Sequence, residues 1–274
     1  MNVKIKNDIW VYLCLVFGGL VFAYPFLWML SATFKPEMEI AGIGLWSSNF
    51  NLENYRAVFA KIPIGRALLN SIFVSSCVTF SAVLFGSVVG YALARLKFIG
   101  RDLIFGVILL TMVIPFQITL IPMYILMVKF GWVDTYLSLI VPGMISTFGI
   151  LLFRQFFLDI PQDLIDAARI DGCSDLRILF RIFFPLSKPV IITVGILSFM
   201  GSWNDVLWPL IVVRVQELMT MPQMVTIFKV GGQAESQIGS QLAAAALLAV
   251  PIVIVYTFFQ KYFIESMATT GLKN

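Results

Sequence analysis

Long apolar stretches separated by short polar segments dominate the hydropathy pattern of this chain. Six of them reach the length of about 20 mainly apolar residues that a membrane-spanning helix needs. They run over 9–30, 68–93, 103–123, 136–157, 190–213 and 242–263. Because lipid offers no water to satisfy backbone N–H and C=O groups, each stretch is predicted to be helical. The pattern predicts an all-α integral membrane protein with six transmembrane helices in a single domain over residues 1–274.

Composition agrees with a membrane protein. The chain is 59% hydrophobic and 12% charged, with a mean hydropathy of +0.93, which leaves too little polar surface for a soluble domain of this length. It contains no histidine and only three cysteines, none in a CxxC spacing, so no metal site is predicted. A membrane-embedded enzyme would need clustered acids, bases or metal ligands at one depth, and the sequence disfavours this class.

Prolines and small residues indicate how the spans are shaped and packed. Five prolines lie in or near the spans and predict that several are bent or broken: Pro115, Pro122, Pro142, Pro209 and Pro251. Small residues recur every fourth position in the second span: Ala82, Gly86, Gly90 and Ala94. Such a stripe lets another helix approach closely, either from the same chain or from another subunit.

Positive charge predicts the orientation. With both termini in the cytoplasm, most of the 19 Lys and Arg residues lie on that side, including those in the short turn from Arg95 to Arg101. Lys4 and Lys6 precede the first span, whose apolar run is too long for a cleaved signal peptide and lacks an Ala-x-Ala site. We therefore interpret it as an uncleaved anchor and predict cytoplasmic termini.

The chain shows no energy source of its own. It has no Gly-x-x-x-x-Gly-Lys-Ser/Thr segment to cradle nucleotide phosphates. Ionisable residues are nearly absent from the spans, Asp205 being the main exception, and no paired repeat or proton relay is evident. The energy for transport is therefore expected to come from a partner protein, unless the protein is a stand-alone channel or facilitator.

The longest cytoplasmic loop, residues 159–188, predicts two short helices with a sharp bend. Pro161 suits a first helical turn that Asp159 can cap, and that helix should end near Ile170. Gly172 suits the left-handed residue that follows a helix. A stand-alone channel would leave this loop without a purpose.

The loop also has the character of a docking segment. Ser174 can cap the second helix. In the first helix, the small side chains of Ala167 and Ala168 keep the helix narrow. Leu164 and Ile165 offer apolar side chains that can anchor the helix in a partner's groove. Five aspartates make the segment acidic: Asp159, Asp163, Asp166, Asp171 and Asp175. A helix lying on the membrane surface usually favours Lys and Arg, so a basic protein surface is the better partner.

At this loop the sequence resembles the EAA loop of binding-protein-dependent ABC transporter permeases. That pattern is Glu-Ala-Ala, three residues, Gly, nine residues, Ile, one residue, Leu-Pro. The matching positions, at the family spacing, are Asp166, Ala167, Ala168, Gly172, Ile182 and Pro185. Asp166 replaces the family glutamate, and Phe184 stands where leucine is usual. Further segments, 90–98, 112–122 and 202–210, are similar to the carbohydrate-importing branch and its maltose-type second permease subunit.

The resemblance implies a type I ABC importer permease in the plasma (inner) membrane of a prokaryote. It implies a second homologous permease, two ATP-binding subunits and an extracytoplasmic solute-binding protein as partners, with membrane lipid around the spans and no nucleic acid. The chain itself would hold no cofactor, since ATP and Mg²⁺ belong to the partner ATPase. ATPase coupling would involve the loop residues Asp163, Asp166, Ala167, Ala168, Asp171 and Gly172.

Polar and aromatic residues in the spans are candidates for the cargo path. They are Gln117 and Thr119 in the third span and Trp203, Asn204 and Asp205 in the fifth. Sugars bind by aromatic stacking and hydrogen bonds to hydroxyls, which these residues can supply. Helix packing or a gate would explain them as well. Glycerol-phosphate esters are an alternative cargo, but a phosphate would favour buried cations, which the spans lack.

Overall fold

The structure is a computed structural model that describes residues 9–230 and 237–271, with side chains except at Val255 and 259–271. Lys4 and Lys6 lie outside the described residues. The helices are α1 (Ile9–Ala32), α2 (Glu37–Ile40), α3 (Glu53–Lys61), α4 (Ile64–Arg95), α5 (Arg101–Thr111), α6 (Phe116–Phe130), α7 (Tyr136–Ile140), α8 (Thr147–Leu158), α9 (Gln162–Ile170), α10 (Asp175–Ile178), α11 (Phe184–Leu186), α12 (Lys188–Trp203), α13 (Leu207–Val212), α14 (Met221–Val230) and α15 (Ile238–Gly271). No strand occurs within these ranges.

Membrane-length helices confirm the predicted all-α membrane architecture. Four segments are long and apolar enough to span a membrane: Ile9–Ala32, Ile64–Arg95, Tyr136–Leu158 and Ile238–Phe258. Two bent helix pairs raise the count to six if each pair is one span. The six predicted stretches therefore each correspond to a helix or to part of a bent pair.

Three predicted spans are not continuous helices. The predicted span 136–157 is divided between α7 and α8, with a short 3-10 turn at Val141–Gly143 that contains Pro142. The predicted span 103–123 is divided between α5 and α6, which meet at an angle of 102°. Pro115 is the N-terminal cap of α6, and a proline disfavours helical geometry in the residue before it. The predicted span 190–213 is interrupted after α12, which has 16 residues. The proline-based prediction of broken spans is confirmed at Pro115.

The chain divides into two compact units by its internal contacts. Among the described residues, the first comprises 9–64, 224–230 and 237–251, and the second 65–223 and 252–271. In the first unit, the Glu37 carboxylate accepts hydrogen bonds from the backbone N–H groups of Ile238 (2.6 Å) and Gly239 (3.1 Å). This acid satisfies otherwise unpaired donors at the start of α15.

In the second unit, the small-residue stripe of α4 packs against α8 of the same chain. A Cβ atom added at Gly90 would lie 2.7 Å from the Cβ of Phe153 and 3.0 Å from the backbone nitrogen of Arg154. One added at Gly86 would lie 3.2 Å from a ring carbon of Phe153. Of the two explanations that the sequence left open, packing within the chain is confirmed.

Gly90→Ala is expected to destabilise the protein because backbone and a Cβ atom, rather than a flexible side-chain end, fill the space. Overpacking of this kind costs about 1–3 kcal/mol. The matched control is Gly106→Ala in α5, where no heavy atom lies within 4 Å of the added Cβ. Thermal unfolding of the two purified variants in detergent measures the effect. Equal unfolding temperatures would contradict the close α4–α8 contact.

Asp134 fixes the loop between α6 and α7 to the end of α13. Its backbone has a positive φ of 58°, and its N–H donates to the Val212 carbonyl at 2.9 Å. The carboxylate accepts from the backbone N–H groups of Arg214 (2.5 Å) and Val215 (3.0 Å). These two donors, Arg214 first, lower the pKa of the Asp134 carboxyl. The loop following α13 is thus anchored through its main chain.

Candidate coupling and translocation sites

Helix α9 begins and ends near the residues that its sequence signals indicate. The N-terminal cap residue is Pro161, and Asp159 is the C-terminal cap residue of α8, so capping of the first turn of α9 by the Asp159 side chain stays a prediction. At the other end Gly172 has a φ of 75°, which confirms the predicted left-handed residue. The N–H of Gly172 donates to Arg169 and that of Cys173 to Ala168, the Schellman arrangement of helix C-termini.

The second helical segment of the loop is irregular. Ser174 is the N-terminal cap of α10, as predicted, although its side chain forms no capping hydrogen bond. A π-helical turn over Leu179–Phe183 follows and leads into α11, where Pro185 occupies the first turn. The helix pair Asp175–Leu186 and Lys188–Trp203 is bent by 83°. This bend lies at the end of the loop and is separate from the predicted bend between the two loop helices, which falls at Gly172.

Helix α9 has two different faces. Ile165 and Ala168 are 1% and 5% exposed, and both belong to the hydrophobic core that includes Tyr91 and Phe183. The prediction that Ile165 anchors a partner is therefore wrong, and Ala168 is turned toward the chain's own core. Side chains three residues apart share a helix face, which explains why these two are buried together.

The opposite face, which we call the outer face, is exposed. It comprises Asp163, Leu164, Asp166, Ala167 and Ile170. Leu164 is 44% exposed and Ile170 87% exposed, so two apolar side chains stand among the acids. Asp171 and Gly172, which follow the helix, are also exposed. Of the six predicted coupling residues, Ala168 is the exception.

Arg95, at the end of α4, joins that span to α8 and α9. Its Nε donates to the Phe157 carbonyl at 2.9 Å, and Nη2 donates to the carbonyls of Phe157 and Ile160. Its Nη1 donates to Oε1 of Gln162 at 3.1 Å. The amide of Gln162 in turn donates to the Asp166 carboxylate at 3.0 Å. The guanidinium thus satisfies carbonyls at the end of α8 and connects α4 to the outer face.

A second polar connection runs from α4 to the turn after α9. The Tyr91 hydroxyl donates to Oδ1 of Asp175 at 3.3 Å, and Nη2 of Arg169 donates to the same oxygen at 3.2 Å. The Tyr91 ring packs edge-on against Phe183 at a centroid distance of 5.2 Å. Sequence reasoning did not identify Tyr91 and Arg95 as partners of the loop, although both lie in the segment 90–98 that carried part of the resemblance.

The predicted path residues do not form one cluster. Gln117 and Thr119 lie in the first turns of α6, where the Thr119 hydroxyl donates to the Phe116 carbonyl at 2.8 Å. Asn204 is exposed, and its amide donates to the Met200 carbonyl at 2.9 Å. Trp203 is fully buried and stacks on Phe199 at 5.7 Å. Its indole therefore offers no surface to a cargo, contrary to the prediction.

Asp205 is the predicted path residue that faces a cavity. It lies in the break between α12 and α13, and its Oδ1 accepts from the Trp208 backbone N–H at 3.3 Å. The cavity has a volume of about 200 Å³ and includes Phe116 and Trp208 in its wall. A partly buried carboxylate beside aromatic rings can accept hydrogen bonds from a hydroxyl-bearing cargo.

Membrane-length helices and bent helix pairs define the chain as an integral membrane protein, and its loop helix has one buried and one exposed face. Residues 82–269 match the family of binding-protein-dependent transport system inner membrane components, and the chain belongs to that family. This confirms the resemblance found at the loop.

Individual relatives match over nearly their whole length. The arabinooligosaccharides transport system permease protein AraQ of Halalkalibacterium halodurans is 35% identical over 263 residues, which are 94% of this chain and 93% of that protein. The trehalose/maltose transport system permease protein MalG of Thermococcus litoralis is 31% identical over 277 residues, covering 98% and 99%.

A solved structure confirms the fold. A chain of a bacterial ABC transporter involved in the import of the acidic polysaccharide alginate aligns with a TM-score of 0.79, covering 96% of this chain and 99% of that one. Its sequence identity is 24%, so this match concerns the fold alone. The chain therefore has the fold of an ABC importer permease, as predicted.

Proposed function

We propose that this chain is one permease of an ATP-driven importer whose cargo is a sugar or oligosaccharide delivered by an extracytoplasmic binding protein. One observation carries the proposal: α9 is held by its inner face in the chain's own core while its acidic outer face is exposed. A helix fixed in this way transmits a displacement at its outer face into the spans. The relatives AraQ and MalG are both named for sugar transport, which supports the class of cargo.

The outer face is proposed to dock into a basic cleft of a separate ATP-binding subunit. Leu164 and Ile170 would enter an apolar groove, while Asp163 and Asp166 would meet cations. Two such subunits would bind ATP and Mg²⁺, and closure of their ATP sandwich would move α9. The bonds from Arg95 and the core contact of Ala168 would carry this movement into α4 and α8.

A second, homologous permease is proposed to complete the translocation path. Within α1, all of which the structure describes, Ala32 is the single buried residue. The other side chains of this helix are mainly apolar and exposed, so it has surface for lipid and for a second permease. Both termini and the α9 loop are proposed to be cytoplasmic in a prokaryotic inner membrane, consistent with the cations of the Arg95–Arg101 turn.

The cargo is proposed to pass the start of α6 and the break after α12. Gln117, Thr119, Asn204 and Asp205 offer hydrogen-bonding groups there. Because Trp203 is buried, the aromatic contact falls instead to Phe116, which is 42% exposed. This assignment keeps the predicted chemistry of sugar recognition but changes the aromatic residue that supplies it.

Reconstitution tests the proposed function. The chain is co-expressed with candidate permease, ATPase and binding-protein partners and purified in lipid, and ATP hydrolysis and labelled-sugar uptake are measured in proteoliposomes. A stable complex that accumulates sugar only with ATP and loaded binding protein is the expected result. Sugar equilibration by the chain alone, without ATP, would instead make it a facilitator and would leave the outer face without its proposed role.

A further inference from the structure

The cavity beside Asp205 has a fixed aromatic wall. Trp208 is 3% exposed, and its indole N–H donates to the Ser138 carbonyl at 2.7 Å, which prevents the ring from turning. Phe116 meets this ring edge-on at a centroid distance of 6.4 Å and an interplanar angle of 78°. Since Trp208 itself is almost fully buried, it serves to hold Phe116 in place, and the ring of Phe116, which is 42% exposed, can contact the C–H face of a sugar ring.

The polar groups of the cavity are hydroxyl and carboxylate. The Ser202 hydroxyl accepts a hydrogen bond from Ser75 at 3.3 Å, so its own proton remains available to a ligand. Asp205 is an acceptor when ionised and uses one oxygen for the Trp208 backbone N–H. A cargo hydroxyl group could therefore donate to Asp205 and accept from Ser202.

The charge in this cavity has one sign. Among the described residues that line it, Asp205 is the charged one, and none is lysine or arginine. The volume of about 200 Å³ is below the roughly 300–1,000 Å³ of a typical small-molecule site, which suits one ring of a longer cargo. An anionic group entering this space would approach a carboxylate without a compensating cation, and like charges brought together out of bulk water repel strongly.

We propose that this cavity is a charge-selective binding site on the translocation path. Asp205 favours uncharged, hydroxyl-bearing glycosyl units there and disfavours uronates, aldonates and phosphate esters. The inference rests on the proposed function and narrows its cargo. Asp205 acts here as a specificity-determining residue. The competing explanation is that Asp205 only caps the first turn of α13, and that role does not depend on the charge of the cargo.

The test compares neutral cargoes with anionic derivatives of the same sugars, whose terminal ring is also opened by the oxidation, a change of shape that is the same for every variant. The probes are arabinotriose and maltotriose, each beside its aldonate, in which the reducing-end aldehyde is oxidised to a carboxylate. Uptake is measured in proteoliposomes containing the complete importer and a large excess of cargo. The binding protein also selects cargo, but it is the same for every variant. The aldonate-to-neutral uptake ratio of a variant, divided by that of the wild type, therefore isolates the contribution of this chain.

Asp205→Asn removes the charge but keeps an oxygen that can accept from the Trp208 N–H. We expect it to raise the aldonate-to-neutral ratio by about tenfold or more, because bringing like charges together lowers affinity by at least that factor. Neutral uptake should itself fall, because a carboxamide is a weaker acceptor of cargo hydroxyl groups than a carboxylate, and dividing by it corrects the ratio for this loss. The matched control is Asp102→Asn, which removes an exposed carboxylate outside the cavity and should leave the ratio unchanged.

A second variant covers the case in which the Asp205→Asn substitution prevents assembly of the complex. Ser202→Lys adds a cation to the same cavity and should also raise the ratio, whereas a purely capping Asp205 predicts no change. An unchanged ratio in an assembled variant that still takes up neutral sugar would overturn the charge-selection proposal and leave the importer function standing. Absence of ATP-dependent uptake by the wild type of any sugar that its binding protein binds would instead count against the proposed function itself.

Discussion

Ala167→Leu should abolish most ATP-coupled uptake while the chain stays folded in the membrane. Ala167 lies on the exposed outer face of α9, and leucine is a good helix former, so the helix itself is retained. The added isobutyl group would keep a partner from approaching the outer face closely. A steric clash at the centre of the interface should lower the affinity of the chain for the ATPase about tenfold or more. Co-purification of the ATPase and sugar uptake in proteoliposomes measure the loss.

The neighbouring substitution separates docking from folding. Ala168→Leu puts the same group into the core beside Tyr91 and Phe183, so it should lower thermal stability by about 1–3 kcal/mol and reduce the amount of folded chain. Ala60→Leu, at an exposed position of α3, is the control and should behave as wild type. Wild-type ATPase binding and uptake by Ala167→Leu would rule out the outer face as the docking surface.

Arg95→Ala is expected to weaken both stability and coupling. It leaves the carbonyls of Phe157 and Ile160 without their guanidinium partner and cuts the connection to Gln162. Because water can reach part of this site, the expected cost is about 1–3 kcal/mol in the free energy of unfolding. Coupling should fall as well, seen as more ATP hydrolysed for each sugar molecule taken up. Thermal unfolding and the ATP-to-sugar ratio measure the two effects separately.

Two comparisons sharpen this prediction. Arg95→Lys keeps the charge but cannot reproduce a planar fork that reaches three acceptors, so it should recover only part of the loss. Arg101→Ala removes a half-buried arginine paired with the adjacent, exposed Asp102, an interaction worth about 0–1 kcal/mol. If Arg95→Lys matched the wild type in both measurements, the charge alone would suffice and the hydrogen-bond geometry would be irrelevant.

The parts of the fold that depend on local chemistry could be predicted from the sequence. The spans follow from the length of the apolar stretches. The left-handed turn after α9 follows from Gly172, since a positive φ is costly for residues other than glycine. The break before α6 follows from Pro115. The angle of 102° between α5 and α6 does not follow from any of these, because packing around the break sets it.

The parts that depend on contacts distant in sequence could not be predicted. Periodicity shows that Ile165 and Ala168 share one face of α9 and that Leu164 and Ala167 share another, but not which face is inward. Arg95 reaches a carbonyl 62 residues away, and no local pattern marks such a contact. The stripe containing Gly90 had two candidate partners until the position of Phe153 decided between them.

The inner and outer faces of α9 are also subject to different constraints on their sequence. The inner face must fit Tyr91 and Phe183 of the same chain, so its residues can change only together with that core. The outer face is mainly exposed, its Asp166 accepts a hydrogen bond from Gln162, and a few short side chains define its shape. Exchanging those outer positions alone should therefore let one permease scaffold work with a different ATPase, and keeping them unchanged should let several permeases share one.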